Sequence, residues 1–183
     1  MLTDKRIKEA QNNVKSYFDE GLLKKVSSRK TSIGVLKRNS EESLNVANFI
    51  FKEDLSVLWV IVSSYYSMYY MANAILLNFG YKVGSRISHK VTNEALIVFV
   101  REKLKSHCLE DFEAVKTEAH QMMNISNPVN FADDIIESFE FEKNKRSDFQ
   151  YNIDSKLIKS KPKSKTSLDR AKNFFTEMEK LIK

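Results

Sequence analysis

At 183 residues the chain is long enough for one domain with a proper hydrophobic core. Only 4 Gly and 2 Pro accompany 42 % apolar and 30 % charged residues, which suits long helices and leaves too few turn formers for a strand-rich fold. The net charge of +6 and pI near 9.2 favour an anionic partner moderately, and glycines at 21, 34, 80 and 84 assemble neither G-x-x-x-x-G-K nor G-x-G-x-x-G, which argues against a nucleotide-binding α/β domain.

The first predicted helix starts near Thr3, with Ile7, Ala10, Val14 and Tyr17 at helical spacing on one face. It fades between Gly21 and Ser32. Asn39 or Ser40 is the expected N-cap of the next segment, on which Leu44, Ala47 and Phe51 share a side. No charged residue lies between Leu55 and Tyr81, so a long uncharged helix follows, capped by Asp54 or continued through a bend, and ended by Gly80. Val57 to Phe79 has the length of a membrane span, but Ser63, Ser64, Tyr65, Tyr66, Ser67, Tyr69, Tyr70 and Asn73 occupy its middle. A helix surrounded by protein explains that pattern better, so no membrane association is expected.

Ser88 reads as the N-cap of a helix carrying Val91, Ala95, Val98 and Leu104. Leu109 to Asn124 is amphipathic through Phe112, Val115, Ala119 and Met122 or Met123. Asn127-Pro128 breaks the chain, and Asn130 to about Ser147 forms the next predicted helix with Ile135, Ile136 and Phe139 as its stripe. Lys156 to Lys165 holds five lysines around Pro162 and reads as a basic loop, 154–166, before a final helix over Ser167 to Ile182. That loop is either a soluble connection or an arm that reaches phosphates. The expected architecture is an all-α up-and-down bundle of five to six helices in a single domain, 1–183.

Chemistry-bearing residues are few. Cys108 is the only cysteine, which excludes an internal disulfide and a cysteine metal site and fits a reducing cytoplasm. Met1-Leu-Thr-Asp-Lys-Arg lacks the apolar core of a signal peptide. His107 and His120 are too far apart for a local metal motif, and Asp133-Asp134 reads as helix N-terminal charge. His89 caps its helix or faces a cleft. The tyrosines of the uncharged helix are core or dimer contacts, or platforms for stacked bases. In Lys143-Asn-Lys-Arg-Ser-Asp-Phe-Gln-Tyr151, four residues separate Arg146 from Tyr151. Taken alone, Arg146 is a surface arginine paired with Glu142 one turn earlier, or an anion ligand; Tyr151 closes the end of the bundle or shares that anion.

The run Ser64-Tyr-Tyr-Ser-Met-Tyr-Tyr-Met-Ala-Asn-Ala-Ile-Leu-Leu77, then Gly80 with Ser88-His89-Lys90, then Arg146 to Tyr151, then Ala171 with Phe174 or Phe175, together resemble the HEPN superfamily. The likeness is to a prokaryotic branch with a Tyr-rich helix and a Tyr variant of the Arg-x4-6-His motif. It implies a helical bundle that dimerises, so that two motifs line one cleft and RNA is cut by its own 2′-hydroxyl without metal or other cofactor. Arg146 and Tyr151 are then the catalytic candidates, with Lys143, Lys145, Arg146, Lys159, Lys161 and Lys163 as RNA contacts. Arginine forks onto phosphate oxygens and stabilises charge as the phosphorane develops. Histidine would move the proton, but Tyr151 stands in its place, and a free phenol is ionised in only about one molecule per thousand at pH 7. Ser147 likewise replaces the usual amide. The resemblance therefore implies an RNA-binding protein of toxin–antitoxin or defence type, with endoribonuclease activity resting on a depressed Tyr151 pKa. It also implies an alternative: a non-catalytic helical module that partners a small nucleotidyltransferase or accepts AMP from it, on Tyr151. A lower reading is a bundle with an apolar ligand pocket.

Overall fold

The computed structural model describes residues 3–123 and 153–182, with side chains over 3–105, 107–123 and 161–182. Among these, six α-helices and one short two-stranded ladder follow in order: α1 Asp4–Asp19, β1 Leu23–Lys25, α2 Lys30–Lys52, α3 Val57–Asn78, β2 Tyr81–Val83, α4 Ser88–Phe99, α5 Ser106–Met122 and α6 Ile153–Glu179. A single 3-10 turn, Arg101–Lys103, joins α4 to α5. The all-α bundle expected from composition is what forms.

The uncharged α3 is its axis. Val60, Ile61, Tyr65, Met68, Met71, Ala72, Ile75 and Leu76 point in several directions and are all buried, as a helix apolar around its circumference must be. It touches α2, α4, α5, α6 and β2. Small buried groups let α2 approach closely: the Ser40 hydroxyl donates to the Ser67 carbonyl at 2.7 Å. On another side, Leu168 of α6 packs with Val60 and Ala47, and Asn78 donates to the Leu181 carbonyl at 3.1 Å. Since Leu168 meets the start of α3 and Leu181 its end, α6 runs in the same direction as α3. Phe112 of α5 stacks on Phe174 of α6, with centroids 5.5 Å apart. No helix among the described residues is long and apolar enough to cross a membrane.

Several boundaries differ from expectation, each for a local reason. Thr3 caps α1 as expected, its Oγ1 accepting from Arg6 N. α2, however, begins at Lys30 rather than after Asn39 or Ser40, because Ile33 and Leu36 already supply its inner face and Ser40 is a packing residue within it. Ser56, not Asp54, caps α3; Asp54 sits at φ 53 in the turn before it, a conformation aspartate tolerates. α4 has Ile87 as its N-cap at φ 41, an uncomfortable position for a β-branched side chain, and Ser88 is its first helical residue.

The basic stretch is the main correction. Residues 154–166 are not a loop: α6 runs unbroken through them with Pro162 inside. Lys161, Lys163 and Lys165 are exposed while Ser164, Ser167 and Leu168 are buried, so the helical period begins on serines, which an apolar pattern cannot register. Lysine is a good helix former, and the Ser164 and Thr166 hydroxyls donate back to the carbonyls of Lys161 and Pro162 at 2.8 and 2.9 Å. The predicted helix over Asn130 to Ser147 lies outside the described residues.

Candidate functional site

The two strands are short, but their pairing decides where charge accumulates. β1 and β2 are antiparallel with Leu23 opposite Val83, Lys24 opposite Lys82 and Lys25 opposite Tyr81. The ladder is closed at its ends by Gly84 N donating to Leu22 O at 2.8 Å and Val26 N donating to Gly80 O at 2.9 Å. A Cβ on Gly80 or Gly84 would stand 3.2 Å from the facing carbonyl, so glycine sets this close approach. Directly opposed residues share one face of a ladder, and two ammonium groups in that relation repel. Lys24 and Lys82 are therefore held together at a cost.

The pairing also joins two stretches without acids. Residues 21–40 contain no Asp or Glu, and neither do residues 55–93. Lys24, Lys25, Arg29 and Lys30 from the first, and Lys82, Arg86 and Lys90 from the second, are all exposed. Among the described residues none of these cations forms an ion pair, Asp19 and Glu20 just before β1 included. Other basic side chains do find carboxylates: Lys37 reaches Glu179 at 2.6 Å, Lys105 reaches Glu177 at 2.8 Å and Arg170 reaches Asp111 at 3.1 Å. A group of cations without ion pairs among the described residues thus surrounds the ladder, the start of α2 and the start of α4.

Beside this patch lies an open groove of about 860 Å³ between the start of α2, the middle of α3 and β2. Arg29 and Lys82 stand at its edge; Tyr69, Tyr70, Asn73 and Tyr81 line it, with Ser27 and Ser32 among the polar groups. Its remaining walls are aliphatic, from Val26, Val35, Leu36, Leu77 and Val83.

Behind the groove is a buried aromatic network that fixes Tyr69. The ring of Tyr69 stacks on His89 with centroids 4.1 Å apart. His89 in turn is bonded through Nδ1 to the Tyr65 hydroxyl at 2.5 Å. Burial lowers the His89 pKa to about 3, with His120 and Lys116 pushing the same way. Burial likewise takes His120 to about 4, aided by Lys116 and opposed by Glu113. Tyr65 is raised well above the usual phenol value, by burial first and then by its tyrosine neighbours and Glu113. The tyrosine therefore donates, neutral His89 accepts at Nδ1, and the imidazole proton resides on Nε2. With both histidines held neutral by burial and Tyr65 fully enclosed, this network packs behind the groove and positions Tyr69. His89 thus has a structural use, but not as the cap expected for its helix: α4 has no side-chain cap bond, and the imidazole is bonded to the Tyr65 hydroxyl instead.

Polar packing on the far side of α4 is equally enclosed. Glu94, 4 % exposed at its side chain, accepts from Arg6 at 3.2 Å and from Asn13 at 3.0 Å, tying α1 to α4. Asn93 donates to Glu113 of α5, which also pairs with Lys116 at 3.1 Å. Among the described residues no cluster of His, Cys, Asp or Glu is placed to hold a metal ion.

The residues singled out from sequence fall elsewhere. Lys143, Lys145, Arg146 and Tyr151 lie outside the described residues, as does the side chain of Lys159, whose backbone belongs to α6. Lys161 is exposed and bound to Asp54 at 2.7 Å, and Lys163 is exposed on the same helix. Asp54 follows the end of α2 whereas Arg29 precedes its start, so at 1.5 Å per residue the length of α2 separates them by roughly 30 Å. Lys161 is thus not part of the patch around the ladder. Of the tyrosines, Tyr65 is core, while Tyr69 and Tyr70 reach the groove. The signal for this end of the molecule was in the sequence as two runs without acids, but only strand pairing makes them one surface. Comparison of the chain with family models, with curated proteins and with solved structures gives no match.

Proposed function

We propose that this protein binds RNA through the unneutralised basic surface formed by the β1–β2 ladder, the start of α2 and the start of α4. The observation that carries this reading is the Lys24–Lys82 pair: two lysines opposed on one face, with further cations around them that, among the described residues, form no ion pair with a carboxylate. Such an arrangement is stabilised by a bound polyanion, whose phosphates replace the missing counter-charges. Fluorescence anisotropy with a labelled single-stranded RNA across a salt series tests it. Each phosphate contact contributes about 0.7 to the slope of log affinity against log salt for a single strand. Lys24→Glu with Lys82→Glu is expected to lower that slope by well over one unit; an unchanged slope and affinity rejects the surface.

Two further expectations belong to the same proposal. The HEPN resemblance makes Arg146 and Tyr151 the reactive edge, so cleavage of bound RNA in EDTA is expected to stop in Arg146→Ala while binding at the ladder persists. Cleavage that survives the substitution removes Arg146 from the chemistry. A second copy of the chain is the proposed partner, seated on the outer face of α2 and α3. There Val46 and Phe49, 48 % and 60 % exposed, stand one turn apart on α2, and Trp59, 53 % exposed, shares a groove with Val46. Contiguous exposed apolar side chains of this kind suit an interaction surface, and a two-fold axis would lay the two helix pairs together as four helices. Sedimentation of Trp59→Glu against the unaltered protein tests this, dissociation being the expected outcome and an unchanged mass the contrary one.

A further inference from the structure

Resting on that RNA reading, we infer that the groove beside the ladder is a nucleobase pocket, which makes the ligand a single strand with an unstacked base rather than a duplex. Charge alone does not discriminate between the two, because phosphates are common to both. The groove does. Its volume of about 860 Å³ is ample for one nucleoside, its lining combines tyrosine rings with aliphatic side chains, and the cations Arg29 and Lys82 belong to that lining, within reach of a sugar-phosphate chain.

The three tyrosines of the groove are not equivalent. Tyr69 is stacked on His89, with centroids 4.1 Å apart, and Tyr81 is stacked on Phe99, with centroids 3.9 Å apart. Tyr70 meets Tyr66 and Tyr69 only in tilted contacts at 6.0 and 5.8 Å, so it has no parallel stacking partner among the described residues. Tyr70 borders both this groove and the one it shares with Val46 and Trp59, and the part of its ring that faces Asn73 and Tyr81 is the platform for an incoming base. Tyr69 and Tyr81, each fixed by its own stack, hold the sides of the pocket. Asn73 keeps its amide orientation through Tyr69 O at 2.9 Å and Thr92 Oγ1 at 3.3 Å, and each end of that amide retains capacity for one more hydrogen bond. It is the group suited to read a base edge, while Arg29 and Lys82 neutralise the flanking phosphates.

The experiment measures binding of a labelled single-stranded RNA and of a blunt RNA duplex of equal length, to the whole chain and to Tyr70→Ala and Tyr70→Phe. The single strand is expected to bind at least ten-fold more tightly than the duplex. Tyr70→Ala is expected to weaken single-strand binding roughly ten-fold with an unaltered salt slope, and Tyr70→Phe to retain it, since the stacking face is kept. Circular dichroism melting of the variants confirms that the helices remain folded. Equal affinity for duplex and single strand, or an unaffected Tyr70→Ala, overturns the base pocket and leaves the basic surface standing. Failure of the unaltered chain to bind either RNA overturns both.

Discussion

Replacing Lys24 by glutamate should make the protein more stable and worse at its proposed task. In the ladder Lys24 stands directly opposite Lys82, and both side chains are exposed. Opposed like charges destabilise a strand pair and opposed unlike charges stabilise it, each by about 0.2–1 kcal/mol. The reversal is therefore worth about 1 kcal/mol at low ionic strength, and less once salt screens these solvated groups. For a chain of this length 1 kcal/mol corresponds to a rise of about 2–4 °C in Tm. Calorimetric melting at low and at high salt reads this directly, and Lys24→Met separates loss of repulsion from gain of attraction. The same substitution removes a phosphate ligand and adds a negative charge, so RNA affinity is expected to fall as Tm climbs. A lower Tm with folded secondary structure would show that Lys24 and Lys82 do not repel. A higher Tm with undiminished affinity would show that their juxtaposition has nothing to do with anions.

Three other outcomes follow from the interior. His89 and His120 have folded pKa values of about 3 and about 4, below the unfolded value near 6.5, so their contribution is intact above pH 6.5 and is lost as pH falls toward those folded values. Each adds a slope of about 1.4 kcal/mol per pH unit in that window, and denaturant melts from pH 7 to pH 4 should flatten in His89→Gln or His120→Gln. Arg6→Ala leaves the enclosed Glu94 carboxylate with Asn13 alone and is expected to cost about 3 kcal/mol, read as a lower urea midpoint, whereas a loss below about 1 kcal/mol would mean that Glu94 is not confined as described. Pro162→Ala restores a backbone donor in the interior of α6 and is expected to raise Tm, by up to about 3 kcal/mol of stability; no change would place a break in the helix at that residue.

How legible all this was depends on the chemistry of each stretch. α1, the uncharged helix, the helix after Ser88 and the amphipathic run through Phe112 could be read because apolar residues mark their inner faces. The extent of α6 could not, since Ser164 and Ser167 take buried positions where the reading looks for leucine, and Pro162 speaks for a break. α2 was shortened for a related reason: Ser40 resembles a cap and is in fact a small spacer that lets two helices touch. The ladder escaped because three residues per strand give alternation no room, and because its stability comes from a partner some sixty positions away. That long-range pairing is also what creates the candidate surface, so the site was illegible to any local pattern. Tyr69 and Tyr70 show the same limit: adjacent in sequence and alike in type, they differ only in which neighbour covers a face.

One consequence concerns synthesis. Val60 at the beginning of the central helix waits for Leu168, and Asn78 at its end waits for Leu181, each about a hundred residues downstream. At a ribosomal pace of about 5–20 residues per second, that flank of the most apolar helix stays wet for roughly five to twenty seconds in every newborn copy. Nascent chains halted before Ser164 should therefore be far better clients for holdase chaperones than those released after Met178.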